Sequence, residues 1–163
     1  MESVRIRGRA PVARMNPGES SMTETERLAI EWQCRTLCNQ FANYNDQNDF
    51  RAVCDLFTED GSFWRPSVPD TEIRGREEIY QAFLKRPPMV IRHIVSNCVV
   101  EVLSENEATG FSYLVFLFAA LTEEPLPLTA GPLHVGEFRD RFVKTDAGWK
   151  FRERKGALAL KTN

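Results

Sequence analysis

The sequence has little that could hold a metal ion. It contains 2 histidines and 4 cysteines, and no two cysteines show the CxxC spacing. The cysteines are Cys34, Cys38, Cys54 and Cys98, of which the first two lie one turn apart on a predicted helix. A structural zinc site needs four clustered thiolate or imidazole ligands. We therefore predict no metal and no cofactor, and expect buried free thiols in a reducing compartment.

The sequence also lacks an excess of one charge and a long apolar run. Its net charge is -2, whereas domains that bind nucleic acid or acidic membranes favour a clear basic excess. No apolar run approaches the roughly 20 residues that cross a bilayer. We therefore predict no nucleic-acid partner, no membrane partner and a cytoplasmic location. The 163 residues suit a single domain.

Residues 1–21 lack the apolar stretch of a secretory signal. The segment carries four arginines, at positions 5, 7, 9 and 14, but also Glu2 and Glu19 and no amphipathic repeat, which argues against a transit peptide. We interpret it as a disordered basic tail, or as an upstream extension with Met22 as the natural start. The domain is then predicted to span residues 22–163.

Helical signals begin at Thr23, which forms the S/T-x-x-E pattern of a capping box with Glu26. Apolar residues then recur at steps of three and four, which predicts a long helix with one buried face that ends near Asn45. Its buried residues are predicted to be Ile30, Cys34, Leu37, Cys38 and Phe41. Asp49 is placed to cap a short second helix, and a third is predicted over residues 75–85, before a Pro-Pro pair.

The second half of the chain predicts strands. Residues 59–61 have the composition of a turn, followed by a short strand at 62–64. Four long strands are predicted at residues 90–103, 107–121, 133–144 and 149–160. Helices followed by long antiparallel strands make an α+β domain. The sheet must curl around the long helix to bury its apolar face, which leaves a blind cavity for a ligand.

Several local patterns occur in an order that resembles the NTF2-like superfamily, specifically its SnoaL-like branch, which includes scytalone dehydratase and ketosteroid isomerase. The resemblance covers residues 24 to about 158. The patterns are YNDQNDF at 44–50, LFTEDG at 56–61, IRGREEI at 73–79, RHIV at 92–95, DRF at 140–142 and GWKF at 148–151. The resemblance implies a cone-shaped, curved antiparallel sheet around the first helix, with an internal pocket. It does not fix the reaction, because this fold carries isomerases, dehydratases, cyclases, hydrolases and non-catalytic binders.

The resemblance to scytalone dehydratase implies an acid–base pair at Asp46 and His93. The family's second histidine corresponds to Ser112, and its tyrosine falls at Asn45, with Tyr44 one residue away. An aspartate that accepts from an imidazole N–H fixes the tautomer and raises the basicity of the ring, so His93 could act as a general base. The alternatives are an ordinary helix-end aspartate and a core histidine satisfied by backbone.

The face that His93 shares with neighbouring residues supports a pocket wall. Strict alternation places Ile91, Val95, Asn97 and Val99 on that face, a mixture of apolar and polar groups. The aromatic residues of the predicted interior, some of which should line the pocket, are Phe63, Trp64, Tyr113, Phe116 and Phe118. They favour a flat or apolar ligand, such as a polyketide-like or steroid-like ring.

Two further polar residues are candidates for ligand contact. His134 would share a face with Phe138 and Asp140; the alternative, which we favour, is an exposed histidine at the start of its strand. Asp140 would have a raised pKa if it points inward, whereas we favour a surface ion pair with Arg141 or Arg152. The arginines at 139, 141, 152 and 154 alternate along the last two strands and fit a solvated surface.

Two functions remain open at this point. One is a cofactor-independent lyase or isomerase that uses Asp46 and His93 on a small apolar or aromatic compound. The other is a non-catalytic binding or assembly module, similar to the β subunit of ring-hydroxylating dioxygenases.

In either case we predict a homodimer through the outer face of the sheet. The residues assigned to that face are Val90, Ile94, Cys98, Val100 and Val102 on one strand, and Phe111, Tyr113, Val115, Leu117 and Leu121 on the next.

Overall fold

A computed structural model describes residues 22–123, 125–126 and 128–162. The tail predicted at residues 1–21 lies outside the described residues. The elements are α1 (Glu24–Asp46), α2 (Phe50–Asp55), β1 (Phe57–Trp64), β2 (Glu72–Arg74), α3 (Arg76–Leu84), β3 (Met89–Val102), β4 (Glu107–Ala120), β5 (His134–Thr145) and β6 (Gly148–Lys161). The α+β class is confirmed, with helices first and long strands afterwards.

Local signals account for the helix boundaries. The Thr23 hydroxyl accepts from the Glu26 N–H, and the Glu26 carboxylate accepts from the Thr23 N–H at 2.8 Å, so the predicted capping box forms. The predicted apolar face of α1 is buried along its length. Asn48 adopts a positive φ of 59°, which turns the chain after α1, and Asp49 then caps α2 by accepting from the Ala52 N–H.

The six strands form one curved sheet in the order β2-β1-β6-β5-β4-β3. Each neighbouring pair is antiparallel except β1 and β6, which run parallel. The predicted curved sheet is confirmed, although the β1–β6 pair makes it mixed and not purely antiparallel. The chain leaves β1 through β2, α3 and three long strands before β6 returns beside it, and that long crossover makes the parallel pairing possible.

The turn predicted at residues 59–61 lies inside β1. The register between β1 and β6 shifts between Phe57 and Ser62, so this segment is an irregular stretch of strand and not a reversal. Gly61 is closely packed there: a Cβ would lie 3.0 Å from the Thr58 carbonyl oxygen and 3.1 Å from that of Phe151, so a side chain would force the backbone to shift slightly. Strand β2 was not predicted.

A bulge in β3 changes which residues face the core. The pairing of β3 with β4 shifts between Ser96 and Val99, and Asn97 takes a positive φ of 50°. Val99 is consequently 61% exposed, whereas Val100 and Val102 are buried. The inward assignment of Asn97 and Val99 is wrong, as is the outward assignment of Cys98, Val100 and Val102. The inserted residue reverses the alternation of faces beyond it.

The core lies between α1 and the concave face of the sheet. Phe41 on α1 is at its centre, and its ring lies 5.6–6.3 Å from the rings of Phe57, Phe63, Phe83, Phe138 and Phe151. These contacts confirm an aromatic interior, although Tyr113 lies on the outer face and is 42% exposed. Within the described residues, no helix is long and apolar enough to cross a membrane.

Candidate functional site

Asp46 and His93 form a direct pair between the end of α1 and the start of β3. The Nδ1 atom of His93 lies 2.5 Å from Asp46 Oδ1, and the His93 backbone N–H donates to Asp46 Oδ2 at 3.0 Å. Both carboxylate oxygens are thus engaged by one residue, and the side chains are only 8% and 13% exposed for His93 and Asp46 respectively. This geometry favours the tautomer with the proton on Nδ1, which leaves Nε2 as the basic nitrogen.

A cavity of about 340 Å³ has His93 in its wall, whereas Asp46 is not among its lining residues. Its walls come from α1, β1, α3 and the concave faces of β3, β4, β5 and β6. The lining residues are Phe41, Asn45, Phe63, Arg65, Pro66, Ser67, Phe83, Arg86, Met89, Ile91, His93, Leu114, Phe116, Phe118, His134, Phe138 and Leu158. A mostly apolar wall with a few convergent polar groups is typical of a small-molecule site.

His134 is part of this cavity wall. Its ring stacks on Phe116 at 4.9 Å between centroids, and Phe116 in turn stacks on His93 at 5.6 Å. The Nδ1 atom of His134 is buried and has no hydrogen-bond partner among the described residues. The interpretation of His134 as an exposed histidine at the start of a strand is therefore wrong. Both histidines of the chain stand in one cavity, on either side of Phe116.

Of the other predicted ligand contacts, Phe116 and Phe138 line the cavity and four residues do not. Tyr44 packs against the core as a half-buried residue. The ring of Trp64 has the Lys155 ammonium 4.7 Å from its centroid. Ser112 is fully buried, and its hydroxyl has no partner among the described residues. Asp140, the fourth, forms a buried ion pair outside the cavity wall.

The preferred surface interpretation of Asp140 is wrong. Its Oδ2 lies 3.0 Å from Arg154 Nη1 and accepts from the Cys38 thiol at 3.6 Å, and both charged side chains are completely buried. The Arg154 guanidinium stacks on the Phe138 ring at 3.9 Å. Burial raises the pKa of Asp140 well above its usual range, and the Arg154 charge opposes that rise.

The structure also corrects the expectation that the arginines of the last two strands all face solvent, because Arg154 is completely buried. The register between β5 and β6 shifts between Arg141 and Phe142, and this moves Arg154 onto the inner face. The neighbouring Arg152 stays outside and pairs with Asp60. Arg139 and Arg141 also remain on the outer face, where they pair with glutamates on the same or the adjacent strand.

The sequence interpretation missed two arginines that line the cavity. Arg86 follows α3 and donates from Nη1 to the Asn45 side-chain oxygen at 2.7 Å. Arg65 follows β1 and donates to the Ala82 carbonyl. Neither residue belongs to a periodic pattern or a motif, so their sequence positions give no signal. Within the described residues, no group of three or more histidine, cysteine, aspartate or glutamate side chains could hold a metal.

Comparison with known proteins supports the fold described above. A family model described as a SnoaL-like domain matches residues 26–155. A provisionally named scytalone dehydratase from Novosphingobium aromaticivorans superposes with a TM-score of 0.73 at 21% identity, covering 86% of this chain and 91% of that one. A hexachlorocyclohexane dehydrochlorinase superposes with a TM-score of 0.72 at 14% identity, over 86% and 92% of the two chains.

A third similar structure is a Catenulispora acidiphila protein in complex with S-DNPA. It superposes with a TM-score of 0.63 at 22% identity, over 80% of this chain and 94% of that one. At these identities the superpositions establish the fold alone. No curated protein matches this chain by sequence.

Proposed function

The chain belongs to the SnoaL-like domain family, and on that premise we propose that it is a cofactor-independent lyase or isomerase in which His93 is the general base. The observation that carries the proposal is the 2.5 Å contact between His93 Nδ1 and Asp46 Oδ1 at the wall of an apolar cavity. The carboxylate holds the proton on Nδ1 and leaves Nε2 free to accept one from a ligand.

The proposed reaction begins when His93 Nε2 removes a proton from a carbon of the bound ligand. In a lyase the C–H electron pair forms a new C=C bond, and the leaving group departs from the adjacent carbon with its own electron pair. In an isomerase the imidazolium returns the proton to a different carbon. Asp46 stabilises the imidazolium that forms in either case. Two similar structures are named for eliminations, of water and of hydrogen chloride, which fits the first alternative.

The proposed ligand is a small apolar or aromatic compound, such as a polyketide-like ring. The stacked rings of His93, Phe116 and His134 present a flat face to the cavity. Phe118 continues that face, with its ring centroid 5.5 Å from His134. A planar ligand could stack on this surface with one carbon directed at His93.

Ligand binding and proton transfer can be tested in sequence. In the first step, small aromatic and polyketide-like ketones are screened for those that raise the melting temperature of wild-type protein more than that of His93→Ala. In the second step, these ketones are incubated with enzyme in D₂O. We expect at least one of them to exchange a carbon-bound proton or to eliminate, as observed by NMR. If the ligands stabilise the protein but undergo neither proton exchange nor elimination, the result would contradict this proposal and support a non-catalytic binding module.

We also propose a homodimer through the convex face of the sheet. Ile94 pairs with Val115 across β3 and β4, and Val115 pairs with Val135 across β4 and β5, so three apolar side chains lie side by side. Ile94 is 55% exposed in the single chain. Glu137 lies two residues along β5 from Val135, and its ion pair with Arg139 would form a polar rim at this side of the patch.

The substitution Val115→Glu is expected to dissociate this dimer, because it would bury two carboxylates at the centre of the contact. Sedimentation at micromolar concentration should give wild-type protein twice the 18.7 kDa mass of one chain, and the variant the mass of one chain. Thr109→Glu, at the far end of the same strand face, serves as the matched control and should stay dimeric. A wild-type mass of 18.7 kDa would contradict the proposed interface.

We place the protein in the cytoplasm. The support is that Cys34, Cys38, Cys54 and Cys98 are all free thiols, and the first three of them are buried in the core. Free cysteines in these numbers suit a reducing compartment.

A further inference from the structure

Two arginines supply the charge of the cavity wall in the described part of the chain. Arg65 and Arg86 line the cavity, and among the described residues no aspartate or glutamate does. The Asp46 carboxylate is close to this wall, because His93 contacts both of its oxygens. Two guanidinium groups therefore face an apolar space with one partly shared negative charge nearby.

Arg86 has donors that nothing in the described chain satisfies. Its Nη1 atom donates to Asn45, but Nε and Nη2 are buried with no hydrogen-bond partner. The rings of Phe50 and Phe83 lie 4.9 and 5.2 Å from its guanidinium carbon, which offsets part of the charge without accepting a hydrogen bond. Burial lowers the pKa of Arg86, and the nearby Arg65 lowers it further. Buried donors left unpaired in this way call for an acceptor.

Arg65 is a second arginine of the cavity wall near the Phe83 ring. Within the described residues, its side chain makes one hydrogen bond, to the Ala82 carbonyl, and no ion pair. Its guanidinium carbon lies 5.7 Å from the Phe83 ring centroid. Burial lowers the pKa of Arg65 as well, so the protein holds a second cation without a carboxylate partner.

Arg86 is positioned relative to the base by consecutive residues of α1. Asn45 accepts from Arg86 and Asp46 accepts from His93, so the end of one helix fixes both the cation and the general base. The aromatic stack through Phe116 forms a different part of the same wall. The cavity wall therefore brings together an apolar aromatic surface, an imidazole and two guanidinium groups.

We propose that the cavity binds an apolar or aromatic acid, whose carboxylate is bound by Arg86 and Arg65 while its ring packs against Phe116 and Phe118. This inference names the ligand class of the site described under Proposed function and rests on that proposal for the reaction. Guanidinium groups bind carboxylates through paired, charge-assisted hydrogen bonds. Because Nε and Nη2 of Arg86 are buried in the ligand-free protein, its side chain would have to turn towards the cavity for a carboxylate to accept from them. The carboxylate would then anchor the ligand next to His93.

The test compares an acid with its uncharged isostere. Binding of 2-naphthoate and 2-naphthamide, and of the smaller pair benzoate and benzamide, is measured by titration calorimetry at neutral pH. We expect each carboxylate to bind about 10- to 100-fold more tightly than its amide, as for a charge-assisted hydrogen bond in a partly buried site. Equal affinities, or no binding of either carboxylate at millimolar concentration, would overturn the proposal.

Two variants and a control assign the effect to the arginines. Arg86→Gln should weaken carboxylate binding about 10- to 100-fold and leave the amide nearly unchanged. Arg65→Gln should also weaken carboxylate binding, and it keeps the proposal testable if Arg86→Gln does not fold. Arg139→Gln, on the outer face, should change neither affinity. Loss of acid and amide binding in equal measure in both cavity variants would show that the arginines only shape the pocket, against the proposal.

The His93→Gln variant separates this inference from the proposed reaction. It should retain the preference for carboxylate over amide, since Arg86 is held by Asn45 and not by His93. Selective carboxylate binding without any proton exchange in wild-type protein would remove the proposed catalysis and leave the ligand class standing. Proton exchange on neutral ketones, with no preference for acids over amides, would keep the proposed catalysis and remove the proposed ligand class.

Discussion

Replacing His93 by glutamine is expected to lower the rate of proton exchange or elimination about 10²- to 10⁴-fold, the usual contribution of a positioned general base. Glutamine has a similar length and can still donate a hydrogen bond to Asp46, so the cavity should keep its shape. It has no group that accepts a proton near neutral pH. The rate is measured by NMR in D₂O on the ligands identified by thermal shift. A variant that retains activity within a few-fold of wild type would refute the assignment of His93.

Asp46→Asn should lower the same rate by a comparable factor through a different route. The asparagine amide can donate to Nδ1, which would place the imidazole proton on Nε2 and remove the base from the cavity side. Asp49→Asn is the matched control, since Asp49 lies three residues along the chain and only caps α2. Asparagine caps helices as well as aspartate does, so this control should keep both stability and activity.

The sequence predicted features whose signals are local. The capping box of Thr23 and Glu26 and the cap at Asp49 each involve residues three apart, and both form. The pairing of Asp46 with His93 joins residues 47 positions apart. It was found only because the resemblance to a known family supplied both positions, and nothing in the spacing of the chain indicates it.

The features that the sequence did not predict depend on strand register. Alternation assigns faces correctly only where pairing is regular, and the bulge beside Asn97 reverses the faces of β3 beyond it. A second shift, next to Phe142, turns Arg154 inward. Arg86 reaches the cavity through its hydrogen bond to Asn45, a contact between residues 41 positions apart. Composition and periodicity carry no information about any of these three placements.

Arg154 and Asp140 give the largest expected effect on stability. Breaking a buried ion pair by removing one partner typically costs about 3–5 kcal/mol, because the remaining charge is left without compensation. Asp140→Leu leaves the Arg154 cation, whose Nε and Nη2 are already unpaired among the described residues and which cannot release its proton. We expect this variant to lose about that amount in the free energy of unfolding, measured by urea titration.

Arg154→Met should cost less than Asp140→Leu, because the remaining aspartate can take up a proton. Burial already raises the pKa of Asp140, and removing the opposing Arg154 charge raises it further. The folded variant then binds a proton that the unfolded chain releases above about pH 4, so its free energy of unfolding should fall as the pH rises. It should fall relative to wild type only above the lower pKa that Asp140 has beside Arg154. The slope should be about 1.4 kcal/mol per pH unit until the raised pKa is passed. Urea unfolding measured at several pH values between 4 and 8 tests whether the stability falls, as expected, when the pH rises.

The double variant Asp140→Leu/Arg154→Met decides whether the pair acts as a unit. It removes both charges and leaves apolar side chains among Phe41, Phe138 and Phe151, whose rings lie 3.9–4.6 Å from the Arg154 guanidinium carbon. Since no buried charge remains, we expect the double variant to be more stable than Asp140→Leu alone, with a coupling of about 1–3 kcal/mol. Strictly additive losses would mean that the two groups contribute to the core independently. The lost stacking of Arg154 on the three rings would then account for the cost of its removal.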